Sequence, residues 1–295
     1  MGMLQQVHGK KLGVSKLLAL SALAAVAIAG IGQTTRAALV ASDNAGNSTY
    51  SSVWSNGSNG GTGFGAWSLT TTGSSAGFFI GSSTVNDNSN LLPTGDAADI
   101  NTPDNSSGSA WGMYANSSSL ATATRDFTGG DLGVGQSFSL AFDNGNIQSG
   151  SSDTLSLLDS SGSTLFQFGF VGGLSDYFYT DYTSTAADTG IGFTYFGLDT
   201  VFTLTSLSTY SFTITPIDTA ISAKTITGTI NGPIIGFQAV NDNAGSGDGS
   251  NFYINSAAIS AAPSSAVPLP ATFGLVLAGG LGLAAIGLNR RRLMV

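Results

Sequence analysis

From Gln136 to Ile259 apolar and polar residues alternate with period two, in short runs broken by Gly, Asn and Asp. Ser137-Phe-Ser-Leu-Ala-Phe142 and Thr154-Leu-Ser-Leu157 set the pattern. After the turn Asp159-Ser-Ser-Gly162 comes Thr164-Leu-Phe-Gln-Phe-Gly-Phe170. The runs 191–196, 201–205, 210–215, 225–230, 234–240 and 252–259 repeat it. Such alternation in Thr, Phe, Ile and Val marks half-buried antiparallel strands. No stretch between residues 40 and 265 carries a capped 3.6-residue stripe. Charged residues make up 9% of the chain, and every acid is Asp. Long surface helices draw on Glu, Lys and Arg, which are scarce here. The expected fold is all-β, a two-sheet antiparallel sandwich of jelly-roll type with ten to fourteen strands.

Residues 41–130 are denser in Gly, Ser, Asn and Thr, with apolar islands at Val53-Trp54, Phe64–Leu69, Gly77–Ile80 and Ala110–Tyr114. All three Trp lie in these islands, whereas a disordered linker lacks aromatics to seed a core. Long loops joining real strands are expected. No repeat of 20–50 residues is found, which argues against solenoids and propellers.

Both ends of the chain read as targeting segments. Lys10, Lys11 and Lys16 precede the uncharged run Leu17–Gly32, and small residues follow at Thr35-Arg36-Ala37-Ala38. A basic region, an apolar run and a small-residue exit make a signal peptide over residues 1–37, cleaved at Ala37 or Ala38 by signal peptidase after passage through the secretory translocon. An uncleaved anchor is the alternative. His8, the only histidine, lies in this segment. At the other end Ala271–Leu288 is 18 residues without a charge, about 27 Å as a helix and close to a bilayer's hydrocarbon thickness. Arg290, Arg291 and Arg292 follow, and by the positive-inside rule they stay in the cytoplasm. The expected organisation is an extracytoplasmic domain over 38–262, a linker over 263–271, a transmembrane helix over 271–289 and a basic tail over 290–295. Ala278 and Gly282 form a small-xxx-small pair on that helix, a spacing that a Gly/Ala-rich helix produces by composition alone.

Ahead of the helix stands Val267-Pro268-Leu269-Pro270-Ala271, held extended by its prolines. It suits a stiff stalk or a protease cleft. This motif, a Gly-rich apolar helix and a terminal Arg cluster together resemble the VPLPA variant of the PEP-CTERM sorting signal. The resemblance covers about residues 267–292 and departs from the type motif at Leu269, where Glu usually stands. It implies export, transient anchoring in the inner membrane and recognition by an exosortase-type processing enzyme whose own cysteine reacts. It also implies a cell-surface or secreted role among bacteria that make extracellular polysaccharide, in a biofilm matrix.

Composition narrows the chemistry further. Without Cys, Glu or a mature-chain His, a Ser-His-Asp triad, a cysteine nucleophile and a His- or thiolate-bound metal have no residues to build on. Lys224 stands in no Ser-x-x-Lys motif, and no Gly-rich stretch has a Walker lysine. Matches to the glycosylation pattern, such as Asn47-Ser-Thr49, are expected by chance in so Asn- and Ser-rich a chain. Between the signals Arg125 and Lys224 oppose seventeen Asp, a formal charge of −15, which repels nucleic acid. Hard cations take Asp, Asn and carbonyl oxygens. The loop 241–251 offers Asp242, Asn243, Asp248 and Asn251 to a structural calcium ion, with a polar loop that binds nothing as the alternative. No other cofactor is expected.

Three functions follow. The first is a non-enzymatic surface or matrix protein associated with exopolysaccharide. The second is a lectin-like carbohydrate-binding module that stacks sugars on Trp54, Trp67 or Trp111. The third, a glycosidase, would use Asp176 and Asp181 beside Tyr177, Tyr179 and Tyr182, provided that the two carboxylates face each other at about 5–9.5 Å.

Overall fold

The computed structural model describes residues 38–51, 53–85, 100 and 108–263. Among them are fifteen strands: β1 (Leu39–Asp43), β2 (Ser68–Thr72), β3 (Ala76–Gly81), β4 (Ala110–Ala115), β5 (Leu120–Asp126), β6 (Ser137–Asn144), β7 (Ser152–Leu158), β8 (Thr164–Val171), β9 (Asp176–Thr180), β10 (Ala187–Gly192), β11 (Leu198–Leu204), β12 (Thr209–Pro216), β13 (Lys224–Thr229), β14 (Gly236–Asp242) and β15 (Phe252–Ser260). They form two antiparallel sheets. The first runs β13-β12-β11-β6-β15-β4-β3, with β1 added against β15. The second runs β10-β9-β8-β7-β14-β5-β2. The expected two-sheet sandwich is what the chain folds into. Among the described residues no helix is long and apolar enough to cross a membrane; residues 1–37 and 264–295, with both segments expected to target the chain, lie outside that description.

The alternation explains the layering. On β12 Tyr210, Phe212 and Ile214 are buried, and on β8 Phe166, Phe168 and Phe170 are buried. They meet between the sheets, where Phe166 lies 4.8 Å from Phe212 and Phe168 lies 5.2 Å from Phe212, ring centre to ring centre. A second aromatic knot forms around Trp54, Trp67 and Trp111, with centroids 5.1–6.2 Å apart. Pairs at these separations stabilise by about 0.5–1.5 kcal/mol beyond the area they bury.

The loop-rich N-terminal part is tied to the second sheet by a buried ion pair. Arg125 on β5 donates from Nη1 to Asp43 Oδ2 at 2.6 Å, both side chains fully enclosed. It also donates to the Gly65 carbonyl at 2.7 Å and to Asn59 Oδ1 at 2.5 Å. Its guanidinium lies 4.8 Å from the Trp67 ring centre and 5.1 Å from that of Phe64. Tyr50 donates to the same Asp43 oxygen at 2.5 Å, and burial, then that bond, push its hydroxyl up to about 12. A buried charge needs both a partner and hydrogen bonds. Asp43, Asn59 and Gly65 supply both, and Tyr50, Trp54, Phe64 and Trp67 of this irregular segment are buried in the core.

β15 changes neighbours part-way along. Phe252–Ile254 pair with β4, and Ala257–Ser260 pair with β1. Between them the register against β6 shifts from Asn255 to Ala258, and Ser256 has φ +54°. This is a bulge, which re-aims a strand within a continuous sheet.

Candidate functional site

The sorting motif Val267–Ala271, the cluster Arg290–Arg292 and Ala37 lie outside the described residues. Ala38 is described, and its carbonyl accepts the Ala261 N–H at 2.7 Å.

The four residues expected to hold calcium each have their own surroundings in the structure. Asn243, at φ +55°, accepts the Ser118 N–H on Oδ1 at 2.8 Å and donates to Ser151 at 3.3 Å. Its amide serves the loop. Asp242 is exposed at the end of β14, while Asp248 and Asn251 line a groove that neither Asp242 nor Asn243 reaches. Among the described residues no cluster of three or more His, Cys, Asp or Glu is arranged to hold a metal ion.

The expected carboxylate pair is also apart. Asp176 begins β9 and Asp181 follows its last residue. At about 3.3 Å per residue they stand about 17 Å apart along the strand, beyond the range for glycoside hydrolysis. Asp181 instead shares a hollow of about 400 Å³ with Asp159, Tyr182 and Asn231. Burial works against the Asp181 charge, but bonds from the Tyr210 hydroxyl and from Thr183 and Ser184 outweigh it and lower its pKa. Bonds from the Ser161 side chain and the Ser163 and Ser161 N–H groups lower that of Asp159. A glycosidase needs one carboxyl whose pKa its surroundings raise; in this hollow both are lowered.

Trp54, Trp67 and Trp111 are 1%, 1% and 0% exposed. All three serve the core, so none can stack a sugar. The physical cause is the aromatic knot itself: Trp67 packs against Arg125 and Phe237, and Trp54 and Trp111 pack against Trp67.

An aromatic groove does open elsewhere, on the outer face of the first sheet, with a volume of about 520 Å³. It is lined by Phe79 on β3 and Tyr114 on β4, and Tyr253 on β15 lies fully buried at its base. Cross-strand register sets two of these rings opposite glycines: Tyr114 opposite Gly77, and Phe79 opposite Gly112. Gly112 also pairs with Tyr253 on its other side. A Cβ on Gly112 would sit 2.5 Å from Phe79 Cζ, and one on Gly77 would sit 2.7 Å from the Tyr114 oxygen. Only bare backbone lets these rings lie down on the sheet, the covering of glycine by an aromatic neighbour known from strand pairs. Phe79 stands edge-on to Tyr253, centroids 5.7 Å apart at 85°. Tyr114 remains 39% exposed.

Polar groups rim this floor: Ser82, Asn116, Asp248 and Asn251. Asn251 donates to the Tyr253 hydroxyl at 3.4 Å. The rim loop is fixed by backbone bonds, Gly245 N–H to Ala115 at 3.2 Å, Asn146 N–H to Gly249 at 2.7 Å and Gly145 N–H to Asn251 at 3.1 Å. The result is a preorganised apolar floor with convergent polar groups, the usual make-up of a small-molecule site. Sequence reasoning weighed the tryptophans and passed over Phe79 and Tyr114. Their signal was a glycine two residues away on the same strand, in Gly77-Phe-Phe79 and Gly112-Met-Tyr114.

No protein-family model matches the chain, and no curated protein matches it. Among solved structures, the exoplasmic/lumenal domain of VIP36 in its Ca²⁺/mannose-bound form is 11% identical, covering 54% of this chain and 80% of its own, with a TM-score of 0.36. A protein of unknown function from Shewanella oneidensis MR-1 is 14% identical, covering 88% of this chain and all of its own, with a TM-score of 0.38. The enzymatically active domain of bacteriophage CBA120 tailspike protein 4 is 12% identical over 66% of this chain and 19% of its own, with a TM-score of 0.29. Each is a protein that this chain is similar to.

Proposed function

We propose that the protein is an exported, non-enzymatic surface or matrix component whose β-sandwich binds saccharide. The observation that carries the binding function is the groove lined by Phe79 and Tyr114, rimmed by Ser82, Asn116, Asp248 and Asn251. A pyranose has an apolar face that stacks on aromatic rings and a hydroxyl belt that exchanges hydrogen bonds with uncharged polar groups. The groove offers both, and binding there desolvates only one charged residue, Asp248. The crossing of consecutive strands between the sheets fits the jelly-roll winding expected from the sequence. Export rests on the sequence: a signal peptide over 1–37, a helix over 271–289 that anchors the domain outside the inner membrane, and Val267–Ala271 as the segment that an exosortase-type enzyme processes.

Two measurements test this. Affinity electrophoresis against immobilised neutral glycans should show retardation of the protein, and Tyr114→Ala should weaken it about tenfold with the circular dichroism spectrum unchanged. Equal retardation of the variant would reject the groove. Intact mass of the protein from surface and medium fractions should give a species that begins near Ala38 and ends near Ala271. A mass that still includes Leu288 and the Arg cluster would make the helix a permanent anchor and reject the sorting function.

A further inference from the structure

The outer face of the second sheet carries a row of six uncharged hydrogen-bonding side chains from six adjacent strands. Register places Thr180 beside Gln167, Gln167 beside Ser156, Ser156 beside Gln238, Gln238 beside Thr124 and Thr124 beside Ser68. Their strand neighbours Phe166, Phe168, Leu155, Leu157, Phe237 and Ala239 point the other way, into the core. The row therefore crosses the sheet at right angles to the strands.

Two hydrogen bonds give the row a direction and a period. Gln167 Nε2 donates to Ser156 Oγ at 3.3 Å, and Gln238 Nε2 donates to Thr124 Oγ1 at 3.0 Å. Both bonds run toward β2, and the unit of amide plus hydroxyl repeats every second strand. Strands lie about 4.8 Å apart, so the repeat is roughly 9.5 Å. Each pinned amide keeps its carbonyl oxygen and one N–H free to bond outward, and pinning removes part of the ordering cost of binding. Exposed or half-exposed positions hold Ser68, Thr124, Gln167, Gln238 and Thr180.

We propose that this face binds an extended, uncharged polysaccharide of the 1,4-β-linked type, laid across the strands. In such a chain alternate sugars face the same way, and the two-sugar repeat is close to two strand spacings. Each repeat can then meet one Gln–hydroxyl unit. Charge selects the neutral polymer: the row has no charge, and Asp126 and Asp242 close the β5–β14 strip at its two ends, where they repel an anionic chain. The proposal rests on the saccharide-binding function but not on the groove, which lies on the other sheet. With one site on each sheet, a single molecule could bridge two polymer chains.

The test is calorimetric titration of the full-length protein with cellobiose, cellohexaose and a hexagalacturonate. Cellohexaose is expected to bind at least tenfold tighter than cellobiose, with no measurable binding of the hexagalacturonate. Gln167→Ala/Gln238→Ala should abolish the gain with length, so that cellohexaose binds no tighter than cellobiose. Should that variant lose its fold by circular dichroism, the isosteric Gln238→Glu replaces it and should cut cellohexaose affinity at least fivefold. A length gain that survives these changes, a hexagalacturonate bound as tightly, or a protein indifferent to cellohexaose would each overturn the proposal. Tyr114→Ala separates the two sites. If it removes all binding, the groove stands and this face fails; if it removes none while the Gln variants do, the reverse holds.

Discussion

Asp153 stands at the interior position that Leu155 and Leu157 occupy further along β7, and it is fully buried. Neither of its oxygens has a hydrogen-bond partner among the described residues. Burial, then the charge of Asp242, push its pKa well above the ordinary carboxylate value. Tyr177, raised by burial and by the charge of Asp143, also faces this region. Because the folded-state pKa exceeds the unfolded one, stability is fully present below about pH 4 and is lost as pH rises through the raised value. Asp153→Asn should therefore leave stability near pH 4 unchanged and raise it at pH 8 by about 1–3 kcal/mol. Urea denaturation of both proteins at the two pH values measures this; a gap that does not widen with pH would reject an ionisable burden at Asp153. No local pattern revealed this residue, since Ser-Asp-Thr-Leu reads as the end of a turn. The Arg125–Asp43 pair was equally hidden, its members 82 positions apart. Both are products of tertiary packing.

At the scale of the strand, what could be read depended on side-chain size. Runs of Phe, Ile, Val and Thr declared β3, β4, β6, β7, β8, β11, β12, β13, β14 and β15 within a few residues. β5, Leu-Ala-Thr-Ala-Thr-Arg-Asp, escaped because its inward residues are Ala121, Ala123 and Arg125, two too small and one charged. β9 escaped because Asp176 and Asp181 bracket its aromatics. β10 ends at Gly192, so the expected strand over 191–196 lies mostly in the turn that follows. Val53-Trp54 forms no strand; Trp54 is buried from an irregular segment that the Arg125 cluster holds down. The same reasoning gives a prediction for β15. Ser256 holds a left-handed backbone conformation in the bulge, and its hydroxyl is buried with no partner among the described residues. That conformation costs a non-glycine residue about 1–2 kcal/mol, partly offset by the greater freedom of glycine when unfolded. Ser256→Gly should shift the denaturation midpoint upward by an equivalent of about 0.5–1 kcal/mol, and Ser256→Val should lower it.

For the molecule as a whole the charge is one-sided. Seventeen Asp face two basic residues between the targeting segments, and one of those two, Arg125, is spent inside on Asp43. Self-repulsion among exposed carboxylates opposes the compact state, and salt screens it within about 10 Å at 0.1 M. Raising sodium chloride from 10 to about 200 mM should increase the thermal midpoint by a few degrees; a midpoint that falls or stays level would mean that the Asp residues are locally compensated. The two-sheet architecture was legible because period-two alternation runs from Gln136 to Ile259. The site was not, because an aromatic lying on a glycine of the next strand is a relation between strands, and one strand's sequence does not contain it. One more relation of that kind concerns force. Tyr253 lines the groove near the start of β15, and β15 ends at Ser260, next to Ala261, whose N–H bonds Ala38. Tension between a captured glycan and that end would therefore run lengthwise along β15. Its hydrogen bonds to β6, β4 and β1 lie crosswise to that pull, so they would have to give way together, in shear, instead of opening one after another.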